Sequence, residues 1–354
     1  MKKLLIFPKY NAMGPSSRYR IYNYLQLYEK AGVDFEVYPL LEDWYLKNLW
    51  SKKSKAAIYY KIIKAYLKRL FRILAVKKNS IVYIGAELFP YLPFGIERYL
   101  KLRNIPYIVE FDDAIFHHYD RTSNFLVKKL LGRKTEKVIK NASAVIGGCQ
   151  YLCDYARQWN SNVIEIPTSI DKRKYLINRE DSHPPVIGWI GSPATARYLD
   201  LIVNPLLKLS KEFSFSVHLI GCDASITQKF KSIPHKIIQW TDATEVQELS
   251  KFSIGIMPLE DTPFARGKCA FKLVQYMAMG IPTVSTPLQS NINISKGNNN
   301  LFASNEEEWY ESIKEILSNS VYYNEVGIKN REIAYKHYTI QNNWIKYIEL
   351  FQSL

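Results

Sequence analysis

Short runs of aliphatic and β-branched residues recur along the chain, separated by stretches with apolar positions three or four apart. KLLIFP (3–8), DFEVYPL (34–40), SIVYIG (80–85), YIVEF (107–111) and SAVIGG (143–148) predict five strands in the first half. SSRYRIYNYLQLYEKAG (16–32) carries Tyr19, Tyr22, Leu25, Leu27 and Tyr28 at helical spacing. It starts after Gly14-Pro15-Ser16 and stops at Gly32 with Lys30 in the last turn, so it predicts one helix. The second half restarts the pattern with PVIGWIG (185–191), SFSVHLIG (214–221), IIQWT (237–241), SIGIMPL (253–259) and IPTVSTP (281–287). Strand–helix alternation implies βαβ units and mainly parallel sheets. The predicted fold is therefore α/β, with two doubly wound domains at 1–170 and 185–335 joined by a polar linker at 171–184. TIQNNWIKYIELFQSL (339–354) predicts an amphipathic helix that buries Trp344, Ile345, Ile348, Leu350 and Phe351.

Composition adds limits. The chain has 354 residues, 47% hydrophobic and 23% charged, an ordinary balance for a globular protein. Four cysteines (149, 153, 222 and 269) form no C-x-x-C pair and read as reduced cytosolic thiols; no His/Cys cluster suggests zinc. The apolar start reads as a buried first strand rather than a signal peptide, and no run approaches the ~20 apolar residues of a membrane span. The expected location is cytoplasmic. The net charge of +15 is uneven: through Ile170 there are 28 Lys and Arg against 14 Asp and Glu, and beyond it 20 against 19. No acidic residue falls between Trp44 and Ile84, a stretch holding Lys47, Lys52, Lys53, Lys55, Lys61, Lys64, Lys68, Arg69, Arg72, Lys77 and Lys78.

In open α/β sheets, ligands bind beyond the carboxyl ends of strands, so the loops there carry the candidate chemistry. In NAMGPSSRYR (11–20), Gly14 frees the turn, Ser16 or Ser17 caps the helix, and Arg18 or Arg20 adds charge for an anion. After the apolar run 107–111 come Asp112 and Asp113, whose repulsion should raise one pKa, followed by His117 and His118. Asp112 as a helix N-cap is the structural alternative. IGWIGSPATARYL (187–199) is a strand into a Gly191-Ser192 turn, with Ser192 or Thr195 as cap and Arg197 in the first helical turn. GKCAFKLVQYMAMGIPTVSTP (267–287) sets Lys268 and Lys272 around a helix start. A helix N-terminus repels cations, so that placement points to a bound anion. Two basic helix starts in one domain suggest a diphosphate-bearing ligand, with Gly280 closing the helix.

This last stretch resembles the donor-binding motif of family 4 glycosyltransferases, in a subgroup with the pattern G-K-C-x-F-K-L-x-Q-Y-M-A-x-G-x-P. GPSSRYRIYNYL (14–25), FPYLPFGIERYLKLRNIPYIVEFDDAIF (89–116), EIPTSID (165–171) and IGWIGSPATARYL extend the resemblance along nearly the whole chain. It implies a GT-B fold of two Rossmann-like domains facing a cleft, with an acceptor-binding N-terminal domain, a nucleotide-sugar-binding C-terminal domain, and a final helix (336–354) packing back toward the first. It implies retaining transfer without a metal or cofactor, from a UDP-sugar or GDP-sugar. The donor residues would be Gly14, Ser16, Gly191, Ser192, Arg197, Trp240, Thr241, Lys268, Cys269, Ala270, Phe271, Lys272, Leu273 and Gln275. Asp112, Asp113, Arg197 and Lys268 would be catalytic, and Arg18, Arg20, Asp113 and His117 would meet the acceptor. The sequence departs from the family at its two signature glutamates: Gln275 stands at the ribose position and Gly267 at the sugar position, with Glu260 or Asp261 as substitutes upstream. The family's acceptor-side His matches the Asp112-Asp113 region.

The basic stretch 47–78 reads as an interfacial helix on anionic lipid, its apolar face being Ile58, Ile62, Ala65, Tyr66 and Leu70. That would bring a lipid-linked glycan acceptor to a protein peripheral on the inner face of the membrane. The expected reaction is transfer of one sugar to a surface-polysaccharide or lipopolysaccharide intermediate. A nucleic-acid-binding protein is disfavoured because no such module is present. A sugar-nucleotide epimerase and a non-catalytic GT-B partner protein stand as alternatives.

Overall fold

The computed structural model describes residues 2–48 and 55–354. The chain forms two compact units. One comprises the chain through Thr168 together with Gly267–Cys269 and Asn343–Leu354; the other comprises Ser169–Arg266 and Ala270–Asn342.

In the first unit, β1 (Lys3–Phe7), β2 (Phe35–Val37), β3 (Ser80–Gly85), β4 (Tyr107–Phe111), β5 (Ala144–Gly147) and β6 (Val163–Glu165) form one parallel sheet. Its order is β2-β1-β3-β4-β5-β6. Leu5 pairs with Val82, and Val82 with Tyr107, across the centre. β3, β4 and β5 are buried almost throughout because helices cover both faces, which is why their sequences read as unbroken apolar runs. The exception is Glu110 in β4, which is 2% exposed. Its carboxylate accepts from Arg20 Nε at 2.8 Å, from the Tyr347 hydroxyl at 2.8 Å, and from Arg20 Nη2 and the Tyr83 hydroxyl in close contacts.

That polar centre explains two departures from the sequence reading. The predicted helix 16–32 is three pieces: Pro15–Arg20, a 3₁₀ turn Tyr22–Tyr24, and Leu25–Lys30. Ile21, at φ −127° and ψ −65°, breaks it. The break lets Arg20 reach Glu110 while Tyr24 and Tyr28 pack on Tyr347, with ring centroids at 4.8 and 6.0 Å. The final helix, Ile340–Gln352, buries Asn343, Tyr347, Ile348, Leu350 and Phe351. Ile345 is exposed and Trp344 half-buried, so the inward face is turned from the predicted one.

The basic helix Lys55–Leu74 is also turned. Ile58, Ile62, Ala65, Tyr66 and Leu70, predicted to meet lipid, are half-buried; Tyr66 packs on Phe89 and donates to the Pro90 carbonyl at 2.9 Å. A second apolar stripe, Tyr59, Ile63, Leu67, Phe71 and Leu74, is exposed beside the cations. Lys52 and Lys53 lie outside the described residues.

The second unit repeats the architecture with β7 (Val186–Ile190), β8 (Ser216–Ile220), β9 (His235–Ile238), β10 (Ile254–Met257), β11 (Thr283–Ser285) and β12 (Leu301–Phe302). All are parallel, in the order β12-β11-β10-β7-β8-β9. Trp189, Val217, Leu219 and Ile256 face one core, and Ile190, Ile220, Met257 and Tyr276 the other. The helix Phe271–Ala278 packs on β10. It ends in a left-handed Gly280 (φ +72°), with Ile281 N–H reaching back to Tyr276 O at 3.0 Å.

Candidate active site

Each unit carries one constellation at the carboxyl end of its sheet. In the second unit it begins where β7 ends. The Tyr276 hydroxyl accepts the Ile190 N–H at 3.0 Å and donates to Ile256 O at 3.2 Å, fixing the strand end against β10. A Cβ at Gly191 would lie 2.3 Å from the Trp189 ring and 2.8 Å from Lys272 Nζ. Only glycine leaves room there, and Lys272 fills the space with its ammonium 4.3 Å from the Trp189 ring centroid. Gly221, at φ +82°, lies against the Gly191 carbonyl, and its own Cβ would meet Trp240. The ends of β7 and β8 and the loop after β9 thus converge on one spot.

Around it, Gln275 is buried and donates to the Tyr175 hydroxyl at 3.0 Å; that hydroxyl donates to Glu245 at 3.3 Å, and Glu245 takes the Trp240 indole N–H at 2.6 Å. Tyr175 and Glu245 escaped the sequence reading, since neither lies in a motif. Thr241 is exposed and its hydroxyl receives the Thr244 N–H at 3.1 Å, shaping the turn into Glu245–Leu249. The Ser192 N–H donates to the Thr195 hydroxyl at 3.2 Å. Arg197 is exposed and begins a 3₁₀ stretch after the four-residue helix Pro193–Ala196, rather than sitting in a helix's first turn. Its guanidinium lies over the Tyr198 ring and donates to the Tyr198 hydroxyl at 3.0 Å, which raises its pKa. Ala270 precedes the helix Phe271–Ala278 in a left-handed conformation (φ +52°), and Leu273 N–H closes on its carbonyl. Asp261 is tied to Arg266 by two hydrogen bonds of 2.6 and 2.9 Å, and Glu260 is exposed.

The constellation of the first unit follows β4. Asp112 and Asp113 are half-buried, and Lys268 Nζ stands 3.6 Å from Asp113. Burial pushes the Asp113 carboxyl up to about 6; Lys268 pulls it back and Asp112 adds to the rise. Asp112 caps no helix; its carbonyl accepts the Cys269 thiol at 3.0 Å. A Cβ on Gly267 would lie 2.4 Å from Ala114 Cβ, and one on Gly148 2.4 Å from Cys269 Sγ. The segment Gly267–Cys269 is therefore pressed onto the strand ends so tightly that no glutamate fits at 267. Gly267→Ala should destabilise the protein by about 1–3 kcal/mol through this overlap, read as a lowered Tm, and Gly267→Glu by more. A tolerant Gly267→Glu variant would contradict the packing argument.

Other expected residues are placed differently. Gly14 caps the helix Pro15–Arg20 without a side-chain bond; Ser16 is exposed, and the Ser17 hydroxyl receives the Tyr10 N–H at 3.2 Å. Arg18 is buried and donates to the Ala12 carbonyl at 3.4 Å. Arg20, expected at the acceptor, is buried in the Glu110 cluster and also donates to Thr168 at 3.2 Å. His117 is buried with both ring nitrogens engaged, by Asp120 and by the Tyr151 hydroxyl, each at 2.9 Å. Both are structural in this fold. Among the described residues, no group of three or more His, Cys, Asp or Glu is placed to hold a metal ion.

Residues 184–319, which contain Gly191, Arg197, Glu245, Lys272 and Gln275, match the family described as Glycosyl transferases group 1. The chain carries a region of the group 1 glycosyltransferase type. The whole chain shares its GT-B fold with solved structures of low identity. A sucrose-phosphate synthase from Thermosynechococcus elongatus is 10% identical over 99% of both chains, with a TM-score of 0.72. A glycosyltransferase from Rickettsia africae is 13% identical over 99% of this chain and 98% of its own, with a TM-score of 0.69. Anabaena Alr3699/HepE in complex with UDP is 12% identical over 99% and 100%, with a TM-score of 0.66. No curated protein matches the chain.

Proposed function

We propose that the enzyme moves a sugar, with retention, from a UDP-sugar or GDP-sugar to a glycan or lipid-linked glycan in surface-polysaccharide or lipopolysaccharide assembly. The observation that carries this reading is Lys272, held by its contact with Trp189 in a space that only Gly191 leaves open. As the glycosidic bond breaks, charge builds on the leaving diphosphate. A fixed ammonium at a strand end stabilises that charge more in the transition state than in the ground state. Arg197 and the turn at Gly191-Ser192 supply further donors, and Gln275 with Tyr175, Glu245 and Trp240 forms the polar wall for ribose and base. UDP is the first nucleotide to test, because Alr3699/HepE is solved in complex with UDP and with UDP-glucose.

Asp113, beside Lys268, suits a group that orients or deprotonates the acceptor hydroxyl. Turnover should then rise with pH through about 6. Asp113→Asn should flatten that limb of the pH–rate profile; an unchanged limb removes Asp113 from the mechanism. The stability effect runs the other way. The folded Asp113 binds its proton more tightly than the unfolded one, so its contribution falls as pH rises from about 4 to about 6.

The reaction is proposed to need no metal, so a chelator should leave the rate unchanged. The protein is proposed to work in the cytoplasm, peripheral on the inner membrane face through Tyr59, Ile63, Leu67, Phe71 and Leu74, with flanking cations reaching anionic lipid. No helix among the described residues is long and apolar enough to cross a membrane. A panel of sugar nucleotides, with release of free UDP or GDP as readout, tests the activity. Absence of both turnover and nucleotide-sugar binding favours a non-catalytic role. Unchanged turnover in Arg197→Ala and Lys268→Ala would remove those residues from the site.

A further inference from the structure

A cavity of about 690 Å³ lies in the first unit, between the helix Lys55–Leu74 and the segment that leaves β2. That volume is in the range of small-molecule sites. Five of its lining residues are cations: Lys61, Lys64, Lys68, Arg69 and Arg72. Among the described residues Glu42 is its single acid, and it stands 3.7 Å from Lys68. Two of the cations are held by aromatic rings of the same wall: Lys61 Nζ lies 4.9 Å from the Trp44 centroid and the Arg72 guanidinium 4.4 Å from that of Tyr38. Cations stacked this way keep their charge at the rim of the cavity.

Arg69 is the decisive residue. It is 3% exposed, yet no carboxylate stands within ion-pair distance of it among the described residues. Its Nη atoms donate to the carbonyls of Leu88 at 3.0 Å, Pro8 at 2.6 Å and Tyr38 at 2.7 Å, while its buried Nε–H has no partner among the described residues. Burial brings its pKa down to about 9. A buried guanidinium is costly unless an anion neutralises it, and arginine does not escape by losing its proton. The missing countercharge, the unpaired buried donor and the four outer cations all call for the same occupant.

We propose that this cavity is a phosphoanion site, taking a phosphate or diphosphate group carried free or on a lipid headgroup, with Arg69 at its floor and Lys61, Lys64, Lys68 and Arg72 at its rim. The site stands on the cavity and not on the transferase reading. It is also distinct from the exposed apolar stripe of the same helix. Guanidinium and ammonium donors make their strongest hydrogen bonds to phosphate oxygens.

Lysine acylation followed by mass spectrometry tests it residue by residue, with Lys268 and Lys272 reporting separately on the proposed donor region. Inorganic diphosphate should slow acylation of Lys61 and Lys64 about fivefold or more relative to sodium chloride of equal ionic strength, which supplies only screening. Phosphatidylcholine vesicles containing phosphatidic acid should do the same if the headgroup is the source, and pure phosphatidylcholine vesicles should not. Protection by either phosphoanion supports the site. Protection by neither, or equal protection by sodium chloride, overturns it. Arg69→Gln should weaken diphosphate binding about tenfold or more, and Glu42→Gln should strengthen it. If Arg69→Gln fails to fold by circular dichroism, the rim double variant Lys64→Gln/Arg72→Gln must show the weakening, and an unchanged affinity there overturns the proposal.

Discussion

Glu110→Ala should cost roughly 3–5 kcal/mol of stability, the range for removing one partner of a buried ion pair. The carboxylate holds four groups at once: two nitrogens of Arg20 and the hydroxyls of Tyr83 and Tyr347. Without it, Arg20 keeps only Thr168 among these contacts and remains a buried charge, 3% exposed. Glu110→Gln should recover part of the loss, because an amide oxygen still accepts but carries no countercharge. Tyr347→Phe removes one hydrogen bond and should cost about 1 kcal/mol. Urea titrations of the three variants check the ordering. A Glu110→Ala midpoint equal to that of the parent would mean that water or rearrangement satisfies Arg20.

Lys272→Ala should lower kcat/KM by about 10²–10³-fold, the usual loss when one preorganised donor to a developing anion is removed. Because the interaction is made to charge that grows in the transition state, kcat should fall about as far as kcat/KM. Gly191→Ala should reproduce much of this without touching the charge, since its methyl would lie 2.8 Å from Lys272 Nζ and 2.3 Å from the Trp189 ring that holds it. Lys272→Arg should fail to rescue, because a planar guanidinium is wider than an ammonium and the space beside Trp189 is bounded. Steady-state release of UDP or GDP by the three variants is the measurement. Full activity in both Lys272→Ala and Gly191→Ala would move the diphosphate elsewhere.

The sheets were legible in the sequence where burial on both faces makes an apolar run, as in β3, β4 and β7. β6 and β12, at three and two residues, are too short to show a period. The break at Ile21 was invisible because Glu110, the partner it lets Arg20 reach, is ninety positions from Arg20. The helix Lys55–Leu74 misled for a different reason. It has two apolar stripes, and only the sheet beneath it decides which is buried. In the candidate site, Lys272 and Gly191 were each marked by motif. Their contact was not, because a notch sized by Trp189 is a property of packing. Gly267 stood out as a missing glutamate; Ala114 supplies the reason. Arg20 and His117 looked like exposed polar chemistry; Arg20 is consumed by buried Glu110, and buried His117 by Asp120 and Tyr151.

Tyr347 and Phe351, which close the aromatic cluster over Tyr24, Tyr28 and Tyr83, are made long after that cluster's other members. At a synthesis rate of about 5–20 residues per second, the first sheet waits roughly 10–40 s on the ribosome for its last pieces. During that interval three tyrosines and the Arg20–Glu110 pair lack their cover. The folding of the first unit is therefore complete only once translation has passed Phe351.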